Sequence, residues 1–436
     1  MGVLLPGGGP GGPRGQAPSG PGLIPVARTR SLPDLSAGDL RGRRVLARMD
    51  YNVPLSPEGA VTDSIRVDST LPTLNHLREA GARIILVSHL GRPKGTPDPR
   101  YSLAPVAQLL SRRLGADVPL LADPPGSDAL MERVEAMEDG EVVLLENIRF
   151  LSGETENDPE LGEALGRLGE VFLGDAFGAA HRAHASNVGA ARAIRDRGGP
   201  AVAGFLMERE LRFLREAVRD PARPFVAVLG GAKISGKIDV IEALLPQVDR
   251  LIVGGAMANT FFRALGLSTG ASLVEEDRVA MAGELLERAG EKLLLPVDCV
   301  VATTLDAAAD SRTVSRDGVG EGERIGDIGA TSQELFSREV RGARTCLWNG
   351  PMGVFELAPF AEGTFAVARA LAEATDAGAI SVVGGGDSAA AAVAADVAER
   401  LTHISTGGGA SLELLAGASL PGVDVLDQLG DEGGNE

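Results

Sequence analysis

Cysteine is almost missing from this chain of 436 residues. Cys299 and Cys346 are the only two, which excludes a disulfide framework and a zinc cluster built on paired cysteines. No apolar run approaches the roughly 18 residues that a membrane span requires, and the N-terminus lacks the basic-then-apolar order of a secretion signal. The expectation is a cytoplasmic protein. An excess of positive charge is lacking too: 60 Asp+Glu outweigh 42 Lys+Arg to give −18, and such a balance disfavours nucleic acid or an acidic membrane as partner. Lysine is rare, at Lys94, Lys233, Lys237 and Lys292 alone. A lysine kept in so arginine-rich a chain is a candidate for work that arginine does not do. What is present is ample apolar material, 44% hydrophobic residues, enough for about two domains.

Residues 1–22 hold nine glycines and five prolines and no acid, a composition that cannot offset the entropy of ordering. Residues 1–30 are therefore expected to be a disordered tail. From about Leu40 onward, short β-branched runs alternate with Gly/Asp turns and Ala/Leu-rich segments of helical spacing, the pattern of an α/β protein with parallel sheets covered on both faces. The first half predicts strands at Arg44–Met49, Arg83–Ser88, Val142–Glu146 and Val171–Gly174, with helices near Leu71–Ala80 and Leu103–Leu114. The second predicts strands at Phe225–Leu229, Arg250–Val253, Thr345–Trp348 and Ile380–Val383, with helices near Ile238–Leu245 and Phe360–Thr375. These strands are too many for one ordinary sheet. The helical segment after Arg192–Pro200 marks the junction, giving a first domain over residues 31–203, a connecting helix over 204–218, a second domain over 219–419 and a C-terminal segment over 420–436.

Three glycine-rich turns in the second half follow predicted strands. Gly230-Gly231-Ala232-Lys233-Ile234-Ser235-Gly236-Lys237 brings two of the four lysines to a helix N-terminus, where bare backbone N–H groups suit a phosphate; the plainer reading is a turn with two solvated lysines. The stretch nearly forms a Walker A loop, but Ile238 stands where a Mg²⁺-holding Ser or Thr belongs. Gly384-Gly385-Gly386-Asp387-Ser388 enters an Ala-rich helix, and Asp387 is either a Mg²⁺ ligand or only a helix cap. Trp348-Asn349-Gly350-Pro351-Met352-Gly353-Val354-Phe355-Glu356 leaves its strand at the end where open parallel sheets bind ligands, or is a plain turn.

The first half places Arg48 to Pro54, Ser88 to Pro93, Leu145 to Phe150 and Asp175 to His184 at strand ends, with Arg66 in the loop after the first strand. Several guanidinium forks converging there would bind carboxylate and phosphate bidentately; singly, each is surface charge. His89, His181 and His184 lack zinc-site spacing. No Gly-x-Ser-x-Gly elbow is present to anchor a hydrolase triad, and no Gly-x-Gly-x-x-Gly follows the first strand to support a dinucleotide-dependent oxidoreductase.

Taken together, the segments RMDYNVPL, SHLGRPKG, LLENIRF, DAFGAAHRAHAS, GGAKISGKI, WNGPMGVFE, GGGDS and ISTGGGASLELL resemble the phosphoglycerate kinase family in content and order from about Arg43 to Val425. The resemblance implies two Rossmann-like domains with parallel sheets joined by a helical hinge. It implies the glycolytic transfer of a phosphoryl group between 1,3-bisphosphoglycerate and ADP, with Mg²⁺ as cofactor, ATP or ADP as nucleotide and small molecules as the only partners of an expected monomer. Carried over to this sequence, Asp50, Asn52, Arg66, His89, Leu90, Gly91, Arg92, Arg149 and Arg182 would hold 3-phosphoglycerate. Lys237, Asn349, Glu356, Gly385, Gly386, Asp387 and Ser388 would hold the nucleotide, with Asp387 on the metal, and Arg66, Lys233 and Lys237 would stabilise the transition state. Hinge candidates are Gly204–Leu214 and Ser405–Gly409, and the C-terminal segment would pack on the first domain. Ser388 and Ala179 stand where the family usually has Thr, and Gly236 where a polar side chain is frequent.

Overall fold

The computed structural model describes residues 28–219 and 221–429. Six parallel strands make the first sheet, in the spatial order Leu120–Leu121, Val142–Leu145, Arg83–Val87, Arg44–Met49, Val171–Asp175, Ala201–Ala203. Their near-continuous Val/Ile/Leu content is what a sheet buried on both faces requires. Alternation divides them between two cores: Leu46, Ile85 and Val143 face one, Val45, Ala47, Ile84 and Leu86 the other. Arg48 lies opposite Val87 on one side and Gly174 on the other, so the segments that follow all leave at one edge.

The second half repeats the plan with Leu293–Leu294, Arg250–Val253, Phe225–Leu229, Thr345–Asn349, Ile380–Gly384 and His403–Ile404, again parallel. Asn349 is in register with Leu229 and Gly384, which brings the three glycine-rich turns side by side at the carboxyl edge, where open α/β sheets take ligands. The sequence reading does not anticipate the three antiparallel strands Arg312–Ser315, Asp298–Ala302 and Arg324–Ile328. Asp327, on the last of them, accepts from Gly363 N at 2.7 Å at the start of the helix Glu362–Asp376.

The helix Phe205–Arg219 lies between the two sheets in sequence and buries Met207, Leu211 and Leu214, an i, i+4, i+7 stripe. Its first turn is held by the first half: Asp175 accepts from Met207 N at 2.9 Å and from Thr73 Oγ1 at 2.7 Å. Its middle is held by the second half, where buried Glu210 accepts from Thr406 N at 2.7 Å and meets His403 Nε2 at 2.8 Å. Of the expected N-terminal tail, residues 1–27 lie outside the described residues, as do residues 430–436 of the C-terminal segment. Arg28–Thr29 forms a short strand, paired antiparallel with Gln428–Leu429. Nearby, Asp427 N donates to Ala201 O at 2.8 Å and Arg195 reaches Val425 O at 2.9 Å.

Candidate functional site

The strand ends of the first sheet enclose a cavity of about 180 Å³, lined by Asp50, Asn52, Arg66, His89, Arg149 and Arg182 and closed on one side by Gly407–Gly409 of the second half. A second cavity of about 370 Å³ adjoins it and shares Arg149 and Arg182, adding Arg92 and Lys94 against the single acid Glu156. Such converging guanidinium groups suit a small polyanion. Arg66 is in a short helix, Ile65–Asp68, rather than in a loop, and its Nη1 donates to Asp50 Oδ2. Burial opposes the charge on Asp50, but the guanidinium groups of Arg66 and Arg48 hold its carboxyl below the usual range. Burial pushes His89 down to about 3, which keeps its ring neutral.

Leu90 and Gly91 serve differently from the arginines. The Leu90 side chain is core, its backbone is bracketed by Asn147 at 2.7 and 3.2 Å, and Gly91 exchanges backbone bonds with Asn52 Oδ1 at 2.9 Å and Arg149 Nη1 at 2.8 Å. They fix the loop from which Arg92 extends. Ala179 lines the cavity without a polar side chain, and its carbonyl accepts from Asn187 at 3.0 Å.

At the second sheet, Lys237 Nζ donates to Gly230 O at 2.6 Å, Asn349 O at 2.7 Å and Asn349 Oδ1 at 2.6 Å. Burial pushes this lysine down to about 8, against the opposing charge of Asp387. Gly350, at φ +98°, must be glycine: a Cβ there would lie 2.3 Å from Gly230 O and 2.5 Å from Lys237 Nζ. Ser388 Oγ accepts from Gly350 N at 2.6 Å, which ties the last glycine turn to the middle one. Buried Asn349 keeps Nδ2 without a partner, beside the Gly384–Gly385 turn that opens the helix Gly386–Ala394. A buried donor left free next to a helix N-terminus is suited to an anionic ligand. Asp387 stands exposed in the first turn of that helix. Lys233 and Glu356 are exposed on their loops, outside the hydrogen-bonded group of Lys237, Asn349, Gly350 and Ser388.

Among the described residues no group of three or more His, Cys, Asp or Glu side chains converges on a metal position. The donor set is a single free carboxylate, Asp387, next to an anion cradle, and that fits Mg²⁺, which keeps waters and takes phosphate oxygens as its other ligands. The sequence reading passed over Arg48 and Glu154 as site residues: both are buried behind the first cavity, 1% and 0% exposed.

The phosphoglycerate kinase family profile matches residues 35–418. A phosphoglycerate kinase of Thermus thermophilus is 53% identical over 401 residues, 91% of this chain and 100% of its own length. That of Chlorobium limicola is 50% identical over 401 residues, 91% of this chain and 99% of its own. Among solved structures, phosphoglycerate kinase from Coxiella burnetii aligns with a TM-score of 0.81 at 40% identity, over 91% of this chain and 98% of that one. The enzyme from Pyrococcus horikoshii gives 0.77 at 32%, with the same coverage.

Proposed function

Since the chain belongs to the phosphoglycerate kinase family and so catalyses Mg²⁺-dependent phosphoryl transfer between 1,3-bisphosphoglycerate and ADP, we propose the following division of work among its residues. The arginine-lined cavities take 3-phosphoglycerate, with Arg92, Arg149 and Arg182 on its phosphate and Asp50, Asn52, Arg66 and His89 around its carboxylate end. The turns at Gly230–Lys237, Asn349–Glu356 and Gly385–Ser388 take the nucleotide. The observation that carries this reading is the convergence of Arg66, Arg92, Arg149 and Arg182 in two adjoining cavities of an otherwise acidic protein.

Written towards ATP consumption, a carboxylate oxygen of 3-phosphoglycerate bonds to the γ-phosphorus as the bond to ADP breaks, and no protein nucleophile is needed. Positioning and charge neutralisation then carry the rate. Lys237 trades its three oxygen acceptors for phosphate oxygens, and Arg66 supplies charge from the other side, with Lys233 at the mouth of the nucleotide loop. When bound, Mg²⁺ neutralises the nucleotide phosphates, with Asp387 as the residue that would hold it. The helix Phe205–Arg219 and the segment Ser405–Gly409 act as the hinge, whose closure excludes water that would hydrolyse the acyl phosphate.

The domain limits we propose are 31–203 and 219–419, with residues 204–218 as the hinge helix and 420–436 as a segment that packs on the first domain. Scarce cysteine suits a reducing compartment, so we assign the reaction to the cytoplasm, and we propose a monomer. The test is ATP-dependent phosphorylation of 3-phosphoglycerate in a coupled assay, with Mg²⁺ and after chelation. Turnover that disappears on chelation is expected; a folded protein that binds ADP and never turns over would overturn the reading in favour of a nucleotide-binding scaffold.

A further inference from the structure

Behind the first cavity lies a buried chain of polar groups that the reaction does not call for. Glu154, fully buried, accepts from Ser186 N at 2.9 Å and from Ser186 Oγ at 2.7 Å. Ser186 Oγ accepts in turn from Arg48 Nε at 2.7 Å, and Arg48 Nη2 lies 3.2 Å from Nδ1 of His89. A guanidinium has five N–H donors and no acceptor, so the contact forms only when Nδ1 carries no proton. A ring hydrogen-bonded this way at one nitrogen has its tautomer set there. We propose that Arg48 is a positioning residue which locks His89 as the neutral tautomer with its proton on Nε2, so that His89 offers the cavity a fixed hydrogen-bond donor.

The surroundings agree. The charged groups facing His89 are Arg48 from its strand, Asp50 just beyond it, Arg149 from the turn Ile148–Phe150 and Glu154 from the helix Gly153–Glu156. Asp50 is 3.9 Å from Nδ1, farther than Arg48, and so does not compete for a proton at that nitrogen at hydrogen-bonding distance. Glu154 serves as the counter-charge that lets Arg48 stay buried and cationic, at 3.9 Å. A neutral donor is useful in a cavity already rich in arginine: it binds an anionic oxygen by geometry and leaves that binding insensitive to the pH range over which a free histidine would titrate. The use of this donor rests on the assignment of the acid substrate to the first cavity; the lock itself does not.

The test labels the histidines of the full-length enzyme with ¹³C and ¹⁵N and follows their ring nitrogens from pH 5.5 to 8, with the spectrum of His89→Gln identifying His89 among the five. The expected result is a bare Nδ1 and a protonated Nε2 throughout. A proton on Nδ1, or a titration midpoint inside that range, would overturn the proposal. In the double variant Arg48→Met/Glu154→Gln, which removes both buried charges together, burial still keeps the ring neutral, but the Nδ1-protonated tautomer should appear; a ring that stays wholly Nε2-protonated would overturn the role of Arg48. Its KM for 3-phosphoglycerate should then rise about threefold relative to the parent, as part of the population loses the Nε2 donor, while the KM for nucleotide stays level. If that variant does not fold, Ser186→Ala, which keeps both charges, should still loosen Arg48 and let the Nδ1-protonated tautomer appear. A locked ring in the parent, released in the variant with an unchanged KM for 3-phosphoglycerate, would uphold the lock and overturn the placing of the acid substrate beside His89.

Discussion

The two halves share one sheet plan and solve opposite electrostatic problems. In the first, buried carboxylates answer buried or half-buried cations: Asp50 with Arg66, Glu154 with Arg48 through Ser186. The charge that meets a ligand is fixed before the ligand arrives. In the second, the turns are mostly bare backbone, and one lysine rests on two carbonyls and an amide oxygen. Recognition there waits for a partner that brings its own charge. The lesson is that a common scaffold leaves the choice between preset and exchangeable charge to a handful of loop residues.

The sharpest way to break the contrast is Lys237→Ala, which removes the cation that must change partners. The expected loss in kcat is about 10³-fold, read by steady-state kinetics in both directions; retention of turnover would mean that the backbone cradle suffices. Next comes Arg66→Ala, with kcat about 10²-fold lower and the KM for nucleotide within about twofold, because the preset cation belongs to the other half; unchanged turnover would remove Arg66 from the chemistry. A smaller effect appears with pH. Lys237 is charged below about 8 and neutral above it, so kcat/KM for the nucleotide should decline as pH rises through that value, and Lys237→Arg, though slow, should show no such decline.

The smallest effect is on stability. Burial pushes Asp327 up to about 7, so between about pH 4 and 7 the folded protein holds a proton that the unfolded chain has lost, and stability falls as pH rises across that window. Asp327→Asn should remove this part of the slope in urea titrations at several pH values. An unaltered slope would show that Asp327 keeps its charge when folded.

Much of this was legible from sequence because parallel strands covered on both faces are written as uninterrupted apolar runs ending in glycine or charge. Arg44–Met49, Phe225–Leu229 and Arg250–Val253 were delimited to the residue, and others such as Arg83–Val87 and Thr345–Asn349 differ by one at an end. The antiparallel strand Arg312–Ser315 was not legible, since its residues are mostly exposed and its polar composition has the look of a loop. Arg66 was placed in a loop because a four-residue helix is too short for periodicity to register. Arg48 was seen, but as one more strand-end arginine. What distinguishes it, a buried serine and glutamate more than 100 residues further along, has no local signature, and only the fold brings them together.

The pairing of Arg28–Thr29 with Gln428–Leu429 sets an order of events during synthesis. The two strands lie about 400 residues apart in sequence, and Asp427 and Val425 also bond to Ala201 and Arg195 of the first half. The first half therefore leaves the ribosome early with one edge uncovered and cannot complete its own hydrogen bonding until residues 425–429 are released. A long-range contact of this kind forms late, after its loop-closure entropy has been met. The nascent first half thus waits for its edge to be covered, and a segment translated more than 200 residues later is the latch that finishes it.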